Sequence, residues 1–189
     1  MAEKIPVYIL AGGLSTRMGT PKAALPFGNT TLLQFLINNI SPIASEVVVV
    51  SDKLYPINNV TFIEDFYKNI GPAAGIHAAL KHLKTSHACI LSCDTPFISY
   101  KHIYAILQHH LNITITTYHQ KKHPLMGIYN KTELHNWEQL ILQGEKKLLF
   151  MLSQLQVCYV DVTNDPAFTK QTLLNINTQQ QYITALQWL

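Results

Sequence analysis

The sequence predicts an α/β protein in which helices cover both faces of a mostly parallel, twisted sheet. Four short apolar runs, each rich in branched residues, occupy residues 5–11, 46–51, 60–65 and 87–94. They are continuously apolar rather than alternating, which is typical of strands buried on both faces. Segments with helical periodicity lie between and after these runs. This alternation predicts right-handed crossovers and three layers, α/β/α.

The predicted helices are recognised from apolar residues that recur about one turn apart. The segment 71–84 also has Pro72 near its start and lysines near its end, which the fixed φ of proline and the helix dipole favour. The apolar stripes of two other helices are Leu32, Leu33, Leu36, Ile37 and Ile40, and later Ile103, Ile106, Leu107, His110 and Leu111.

The second half of the chain departs from this alternation. Residues 112–119 and 124–130 predict two strands joined by the polar turn QKKH, as in a hairpin-like insertion. The remaining predicted elements are a helix over 132–155, strands over 157–162 and 173–177, and a closing helix around Tyr182, Leu186 and Leu189. No linker, repeat or low-complexity tract interrupts the chain, so we expect one domain over residues 1–189.

Composition limits the possible functions. A hydrophobic content of 48% with 13% charged residues is typical of folded proteins, and a formal net charge of +3 gives no reason to expect nucleic-acid binding. The three cysteines include no C-x-x-C pair, so they predict neither a disulfide framework nor a zinc site. The sequence shows no signal-peptide pattern and no apolar run of about 20 residues. We therefore expect a cytoplasmic protein that binds neither nucleic acid nor membrane.

A glycine-rich segment, LAGGLSTRMGTPK, begins at the end of the first predicted strand. Its small residues allow backbone N–H groups to turn toward the oxygens of a phosphate. Arg17 adds a fork of donors and Lys22 a mobile positive charge. The segment fits neither G-x-x-x-x-G-K-[ST] nor G-x-G-x-x-G, which disfavours P-loop hydrolysis and dinucleotide binding. It predicts a phosphate-binding loop that includes Leu10, Ala11, Gly12, Gly13 and Lys22.

Four segments in chain order resemble the MobA-like nucleotidyltransferase family. The glycine-rich segment resembles the family signature L-A-G-G-x-S-x-R-M-G-x-x-K. Residues 63–80 resemble its acidic residue followed by G-P-x-x-G, residues 92–97 its metal-binding C-D-T-P, and residues 173–178 its N-x-N-T. The last of these is similar to the molybdenum cofactor branch of the family. The resemblance covers nearly the whole chain.

This resemblance implies both a fold and an activity. The fold is the Rossmann-like sheet of the nucleotide-diphospho-sugar transferases. The activity is the Mg²⁺-dependent transfer of GMP from GTP to the phosphate of molybdenum-bound molybdopterin, with release of pyrophosphate. The implied partners are proteins that deliver the pterin or receive the finished cofactor. The alternatives are the same chemistry with CTP or another phosphate acceptor, and a non-catalytic module that binds nucleotide.

Asp94 is the candidate metal ligand and a candidate catalytic residue. It follows the fourth apolar run, at the edge of the sheet where α/β proteins bind ligands. Mg²⁺ prefers one or two carboxylates together with phosphate oxygens and water. Asp-Thr-Pro is also a good turn sequence, so the residues alone favour metal ligand and turn residue equally. The resemblance favours the metal ligand.

Two further carboxylates follow predicted strands and are candidate nucleotide contacts. The resemblance implies this role for Asp65, with capping of the following helix as the alternative. Asp52 can accept paired hydrogen bonds from guanine N1–H and N2–H₂, a pattern that adenine lacks. The family commonly has asparagine near this position, so Asp52 departs from its pattern.

The remaining candidates are cations and amides. The resemblance implies that Arg17 and Lys22 are catalytic, binding the triphosphate and stabilising the leaving pyrophosphate. Asn175 and Asn177 lie two apart on a predicted strand, so their side chains face the same side. They contact the metal or the pterin, or they satisfy the end of a sheet.

The chemistry places few further demands on side chains. A phosphate monoester is largely ionised at pH 7, so none of the residues needs to act as a base. Lys121, Lys122 and His123 of the polar turn either meet the acceptor phosphate or are solvated, and the charge pattern alone favours solvation.

Overall fold

The computed structural model describes residues 4–12, 21–109 and 111–189. Gly13 and Arg17 of the predicted phosphate-binding loop, and His110, lie outside these residues. The strands are β1 (Ile5–Leu10), β2 (Pro26–Phe27), β3 (Thr30–Thr31), β4 (Ala44–Val50), β5 (Thr61–Ile63), β6 (His87–Ser92), β7 (Ile113–Tyr118), β8 (Lys121–Asn130) and β9 (Val157–Asp161).

The helices are α1 (Leu32–Ile40), α2 (Pro72–His82), α3 (Tyr100–Leu107), α4 (Leu134–Leu142), α5 (Leu148–Ser153) and α6 (Gln179–Leu186). Two 3₁₀ helices, Lys22–Ala24 and Lys131–Glu133, are also present. None of the helices described here combines the length and apolar character that a membrane span requires.

A seven-stranded sheet, counted over the described ranges, has the order β5-β4-β1-β6-β8-β7-β9. β1 pairs in parallel with both β4 and β6, and β5 pairs in parallel with β4. β8 is antiparallel to β6 and β7, while β7 and β9 are parallel. Within this sheet β8 alone runs against the other strands, and the prediction of a mostly parallel sheet is confirmed.

Helices cover both faces of the sheet. Val7 and Ile9 of β1 belong to a core formed with α1 and α3. Tyr8 and Leu10 of the same strand belong to a second core, formed with α2, α4 and α5. Burial on both faces is why the sequence of this strand is continuously apolar. The three predicted layers are therefore confirmed.

Three predicted elements are wrong in type or extent. Residues 173–177 form no strand, because the Ile176 N–H donates to the Asp94 carbonyl oxygen (2.8 Å), in a loop, instead of to a neighbouring strand. The helix predicted over 132–155 is divided, since α4 ends at Leu142 and Gly144 turns the chain with a φ of 84°. The predicted helix that contains Ile103 ends at Leu107.

The connection between β7 and β8 is also shorter than predicted. His119 (φ 46°) and Gln120 (φ 63°) form the turn, both in the left-handed region. Two such residues are typical of a tight hairpin whose twist matches that of its strands. Lys121, Lys122 and His123 therefore belong to β8.

Candidate active site

The candidate residues lie at the edge of the sheet where the parallel strands end. The hydrogen-bond ladder continues one residue past these ends, because the Ala11 N–H donates to the Val50 carbonyl (3.0 Å) and the Cys93 N–H to the Leu10 carbonyl (3.1 Å). Asp52, Asp65 and Asp94 follow β4, β5 and β6 at this same edge. Ligands of open α/β sheets bind at this position.

A polar cluster of Lys22, Asp94, Asn175 and Asn177 lies at this edge. Lys22 Nζ is 3.4 Å from Asp94 Oδ2 and donates to Asn177 Oδ1 at 2.5 Å. Asn175 Nδ2 donates to Asp94 Oδ1 at 3.3 Å. The Lys22 and Asp94 side chains are only 20% and 14% exposed. The fold thus brings together four sequence-predicted site residues from three segments of the chain.

Asp94 is fixed by its own turn and by two other segments. The Thr95 hydroxyl donates to the Ser92 carbonyl (3.0 Å), which closes the turn after β6. Asn39 Nδ2 of α1 donates to the Pro96 carbonyl (3.1 Å), and the Ile176 N–H to the Asp94 carbonyl. These backbone contacts leave the carboxylate oxygens to bond with the side chains of Lys22 and Asn175.

Lys22 is positioned by a short 3₁₀ helix. Pro21 precedes this helix with extended geometry (φ −55°, ψ 124°), which proline favours, and the Leu25 N–H donates back to the Lys22 carbonyl (3.0 Å). Ala23 is buried in the core of α1 and α3. Burial of its neighbour holds Lys22 at the edge of the sheet, where the side chain reaches Asp94.

The two asparagines face the same side, although they do not lie on a strand. Ile176 between them is buried against β2 and α6, so the extended chain directs the flanking side chains the other way. Asn177 is anchored at the start of α6, where its N–H donates to Gln181 Oε1 (2.8 Å). Gln181 and Thr178 form a capping box there.

Asp65 and Asp52 follow strands that end at this edge, and each lies in a loop of its own. Asp65 Oδ1 accepts a hydrogen bond from Lys68 Nζ (3.1 Å), three residues later. Asp52 is exposed in the loop after β4. Both therefore remain predicted nucleotide contacts, at the ends of β5 and β4.

Sequence reasoning missed the residues that support the cluster. Asn39 lies on the polar side of α1, and no motif distinguishes it from its neighbour Asn38. Gln181 could have been identified from the sequence, since T-x-x-Q before an apolar helix predicts a capping box. Cys93, beside Asp94, is inert as a nucleophile, because burial and the Asp94 charge raise the pKa of its thiol to about 12.

Comparison with known proteins identifies relatives of this chain. Residues 7–157 match the family described as the MobA-like NTP transferase domain. The chain is 31% identical over 185 residues to a probable molybdenum cofactor guanylyltransferase of Carboxydothermus hydrogenoformans, covering 95% of this chain and 94% of that protein. A protein of the same name from Bacillus cytotoxicus is 31% identical over 195 residues, with 97% of each chain covered.

Solved structures show the same architecture. The crystal structure of molybdopterin-guanine dinucleotide biosynthesis protein A from Archaeoglobus fulgidus matches with a TM-score of 0.82 and 26% identity, covering 97% of this chain and 98% of that one. The 2-C-methyl-D-erythritol 4-phosphate cytidylyltransferase of Thermus thermophilus shares the fold, with a TM-score of 0.72, 16% identity and 98% of each chain covered.

Proposed function

Because this chain belongs to the MobA-like NTP transferase family, we propose that it transfers GMP from GTP to the phosphate of molybdenum-bound molybdopterin and releases pyrophosphate. The names of the relatives that match nearly its full length support this substrate pair. The product is the guanine dinucleotide form of the cofactor.

The observation that most directly supports catalysis is the position of Lys22 between Asp94 and Asn177. These residues lie 72 and 155 positions away in the sequence, yet both contact Lys22 Nζ. A module that only bound nucleotide would need the cation but not a half-buried carboxylate beside it. Folding places both at the ligand-binding edge of the sheet, which favours phosphoryl chemistry there.

The transfer requires two anions to approach one another. An oxygen of the acceptor phosphate forms a bond to the α-phosphorus of GTP, and the bond from that phosphorus to the β-phosphate oxygen breaks. Pyrophosphate leaves with this oxygen. We assign Lys22 to the triphosphate, where its charge offsets the negative charge that accumulates on the leaving group. The acceptor phosphate is largely ionised at pH 7, so no side chain has to remove a proton.

The side chains around Asp94 fit a hard divalent cation. Across residues 4–12, 21–109 and 111–189, no group of three or more His, Cys, Asp or Glu side chains could hold a metal. The Asp94 carboxylate with the amide oxygens of Asn175 and Asn177 offers instead a small set of oxygen ligands, which Mg²⁺ accepts when phosphate and water complete its shell. We propose that Mg²⁺ binds here; it would neutralise phosphate charge when bound.

Two further features bear on the choice of nucleobase and on the cellular compartment. Asp52 is the proposed guanine contact, because a carboxylate can pair with both N1–H and N2–H₂. All three cysteines are free, in accord with a reducing compartment, and we place the protein in the cytoplasm. Proteins that deliver the pterin and receive the product are its proposed partners.

Pyrophosphate release tests this function. The protein is mixed anaerobically with molybdenum-bearing molybdopterin and Mg²⁺, and GTP is compared with CTP. We expect release with GTP, loss of release after EDTA treatment, and recovery when Mg²⁺ is added back. Release with CTP alone would show that the protein transfers CMP and not GMP, and would overturn the choice of GTP. A protein that bound GTP without turnover would be the non-catalytic module.

A further inference from the structure

Lys22 contacts the same oxygen atoms that are proposed to hold Mg²⁺. Its Nζ atom is 3.4 Å from Asp94 Oδ2 and 2.5 Å from Asn177 Oδ1. The proposed metal site uses the Asp94 carboxylate and the amide oxygens of the asparagines. The ammonium group of Lys22 and the metal ion therefore require the same ligands, on the loop after β6 and the segment before α6.

The distances place the two cations too close together for both to bind. Mg²⁺ lies about 2.1 Å from each of its oxygen ligands. An ion bound to Asn177 Oδ1 would thus be within about 5 Å of Lys22 Nζ, because that nitrogen is 2.5 Å from the same oxygen. A divalent ion and an ammonium group at this separation repel one another strongly.

The surroundings do little to reduce this repulsion. The side chains of Lys22 and Asp94 are 20% and 14% exposed, so water screens their charges weakly. Asp94 brings one negative charge, and the amides of Asn175 and Asn177 are neutral. These side chains cannot offset the charge of an ammonium group together with that of a divalent ion. A metal ion can therefore bind here only when the ammonium group has left.

Both oxygens of the Asp94 carboxylate are bonded to donors. Oδ2 faces the Lys22 ammonium group, and Oδ1 accepts a hydrogen bond from Asn175 Nδ2 (3.3 Å). Asn175 thus presents its amide nitrogen to the carboxylate, whereas a metal ion would require an oxygen. The arrangement around Asp94 is that of an ion pair with supporting amides, and metal binding requires it to change.

Lys22 is able to make this change with its side chain alone. Its backbone is held in the 3₁₀ helix, where the Leu25 N–H donates to the Lys22 carbonyl. The ammonium group, in contrast, is at the end of a flexible stem of four carbons. A triphosphate offers this group other oxygen atoms, and it brings the negative charge that a metal ion at Asp94 needs.

We propose that Lys22 and Mg²⁺ compete for Asp94 and Asn177, so that Lys22 blocks the metal site in protein to which no nucleotide is bound. The proposal rests on the proposed function and adds a control of metal binding at the same site. Removal of the Lys22 charge should open the site to divalent cations in the absence of GTP. Metal binding then depends on the nucleotide, because the triphosphate is the anion that draws Lys22 away.

Mn²⁺ binding to nucleotide-free protein tests the proposal without turnover. Mn²⁺ shares the preference of Mg²⁺ for oxygen ligands, and its electron paramagnetic resonance signal measures the free ion. Lys22→Met removes the charge and keeps an unbranched side chain. We expect this variant to bind Mn²⁺ at least about tenfold more tightly than wild-type protein, the scale on which one neighbouring charge changes proton binding. Lys22→Gln should act in the same direction.

Two further variants show whether the gain belongs to this site. Lys68→Met is the matched control, since Lys68 also pairs with carboxylates, Glu64 at 3.7 Å and Asp65 at 3.1 Å, but its side chain is 58% exposed. Loss of an exposed pair should change the Kd for Mn²⁺ by less than about twofold. The double variant Lys22→Met/Asp94→Asn should lose the gained affinity, because the ion then lacks its carboxylate ligand.

The outcomes separate this proposal from the function on which it rests. If Lys22→Met and Lys22→Gln, with circular dichroism spectra like that of wild-type protein, bind Mn²⁺ no more tightly than it does, Lys22 does not compete and the proposal is wrong. Tighter binding that persists after Asp94→Asn also overturns it, since the ion then binds elsewhere. Neither result affects the transferase function, which pyrophosphate release tests separately. Tighter binding that requires Asp94 supports the competition, even if wild-type protein releases no pyrophosphate and the function fails.

Discussion

The turn that contains Asp94 is compatible with the other role that the sequence offers this residue, that of a metal ligand. Its backbone belongs to the turn that closes after β6, where the Thr95 hydroxyl meets the Ser92 carbonyl and Ile176 donates to Asp94 itself. Its carboxylate contacts Lys22 and Asn175. The turn therefore fixes the position of the carboxylate, and the side chain is available for phosphate chemistry. Sequence alone could not separate these roles, because Asp-Thr-Pro suits both.

The Asp94→Asn substitution tests the chemical role of this carboxylate. The amide keeps the size of the side chain and can still bond with Asn175, but the negative charge beside Lys22 and the proposed Mg²⁺ ligand are lost. We expect kcat/KM to fall by at least about a hundredfold, the scale of losing one preorganised electrostatic group. The circular dichroism spectrum should be unchanged. Turnover close to the wild-type rate would remove Asp94 from the mechanism.

Replacement of Asp52 by alanine tests base recognition. The loss of two charge-assisted hydrogen bonds to guanine should weaken GTP binding by about tenfold or more, while ATP binding stays the same. Equilibrium binding of both nucleotides to wild-type and variant protein measures this difference. If the preference for GTP over ATP does not change, guanine is recognised by another residue.

At the scale of elements, β8 differs most from its sequence-based prediction. The period of its apolar residues predicted a strand from 124 onward, whereas β8 begins at Lys121 and contains a bulge. The polar residues QKKH resemble a loop in the sequence, because the charged residues with which β8 begins are of types more common in turns than in strands. Only the left-handed pair His119 and Gln120 defines the turn, and neither is the glycine that signals such turns most strongly.

Gly127→Ala tests the packing that holds this bulge. A Cβ atom at Gly127 would lie 2.6 Å from the Thr114 carbonyl oxygen, a backbone atom that cannot move without breaking the β7 pairing. We expect the free energy of unfolding in urea to fall by about 1–3 kcal/mol. Gly75→Ala is the control, since its Cβ would meet only the flexible Leu10 side chain at 3.0 Å and alanine favours a helix. Equal losses in the two variants would contradict the argument.

Trp137→Phe tests how α4 is joined to α2. Trp137 is fully buried, and its Nε1–H donates to the Ala73 carbonyl in the first turn of α2 (2.9 Å). Phenylalanine lacks the N–H group, so the Ala73 carbonyl loses this hydrogen bond. We expect the free energy of unfolding in urea to fall by about 1–3 kcal/mol. The control is Trp188→Phe. Because this side chain is 36% exposed, the substitution should lower the free energy of unfolding much less. A small effect at Trp137 would contradict this, and would mean that the hydrogen bond within α2 is a sufficient partner for the Ala73 carbonyl.

At the scale of the whole molecule, the sequence predicted the parallel half of the sheet well. Strands buried on both faces have a simple signature, and their order along the chain requires their carboxyl ends to share one edge. The ends of β1, β4, β5 and β6 were therefore predictable, and with them the edge that holds Asp52, Asp65 and Asp94.

The contacts across that edge were not predictable from periodicity. Asn175 and Asn177 face the same side as expected, but they reach Asp94 and Lys22 from a loop that is held by the Ile176 backbone hydrogen bond and by the cap of α6. Such a segment depends on tertiary contacts, and its alternating pattern of burial resembles that of a strand. The family resemblance identified Asn175 and Asn177 as candidates, although the apolar pattern around them wrongly predicted a strand.

The central claim is that one site joins GMP to an acceptor phosphate, and label transfer tests it most directly. Wild-type protein and the Asp94→Asn variant are incubated anaerobically with Mg²⁺, molybdenum-bearing molybdopterin and GTP labelled in its α-phosphate, and the products are separated. We expect the label in a pterin dinucleotide with wild-type protein, unlabelled pyrophosphate in equal amount, and neither product with the variant. Label that remains in GTP, or that appears only in free GMP, would contradict the account.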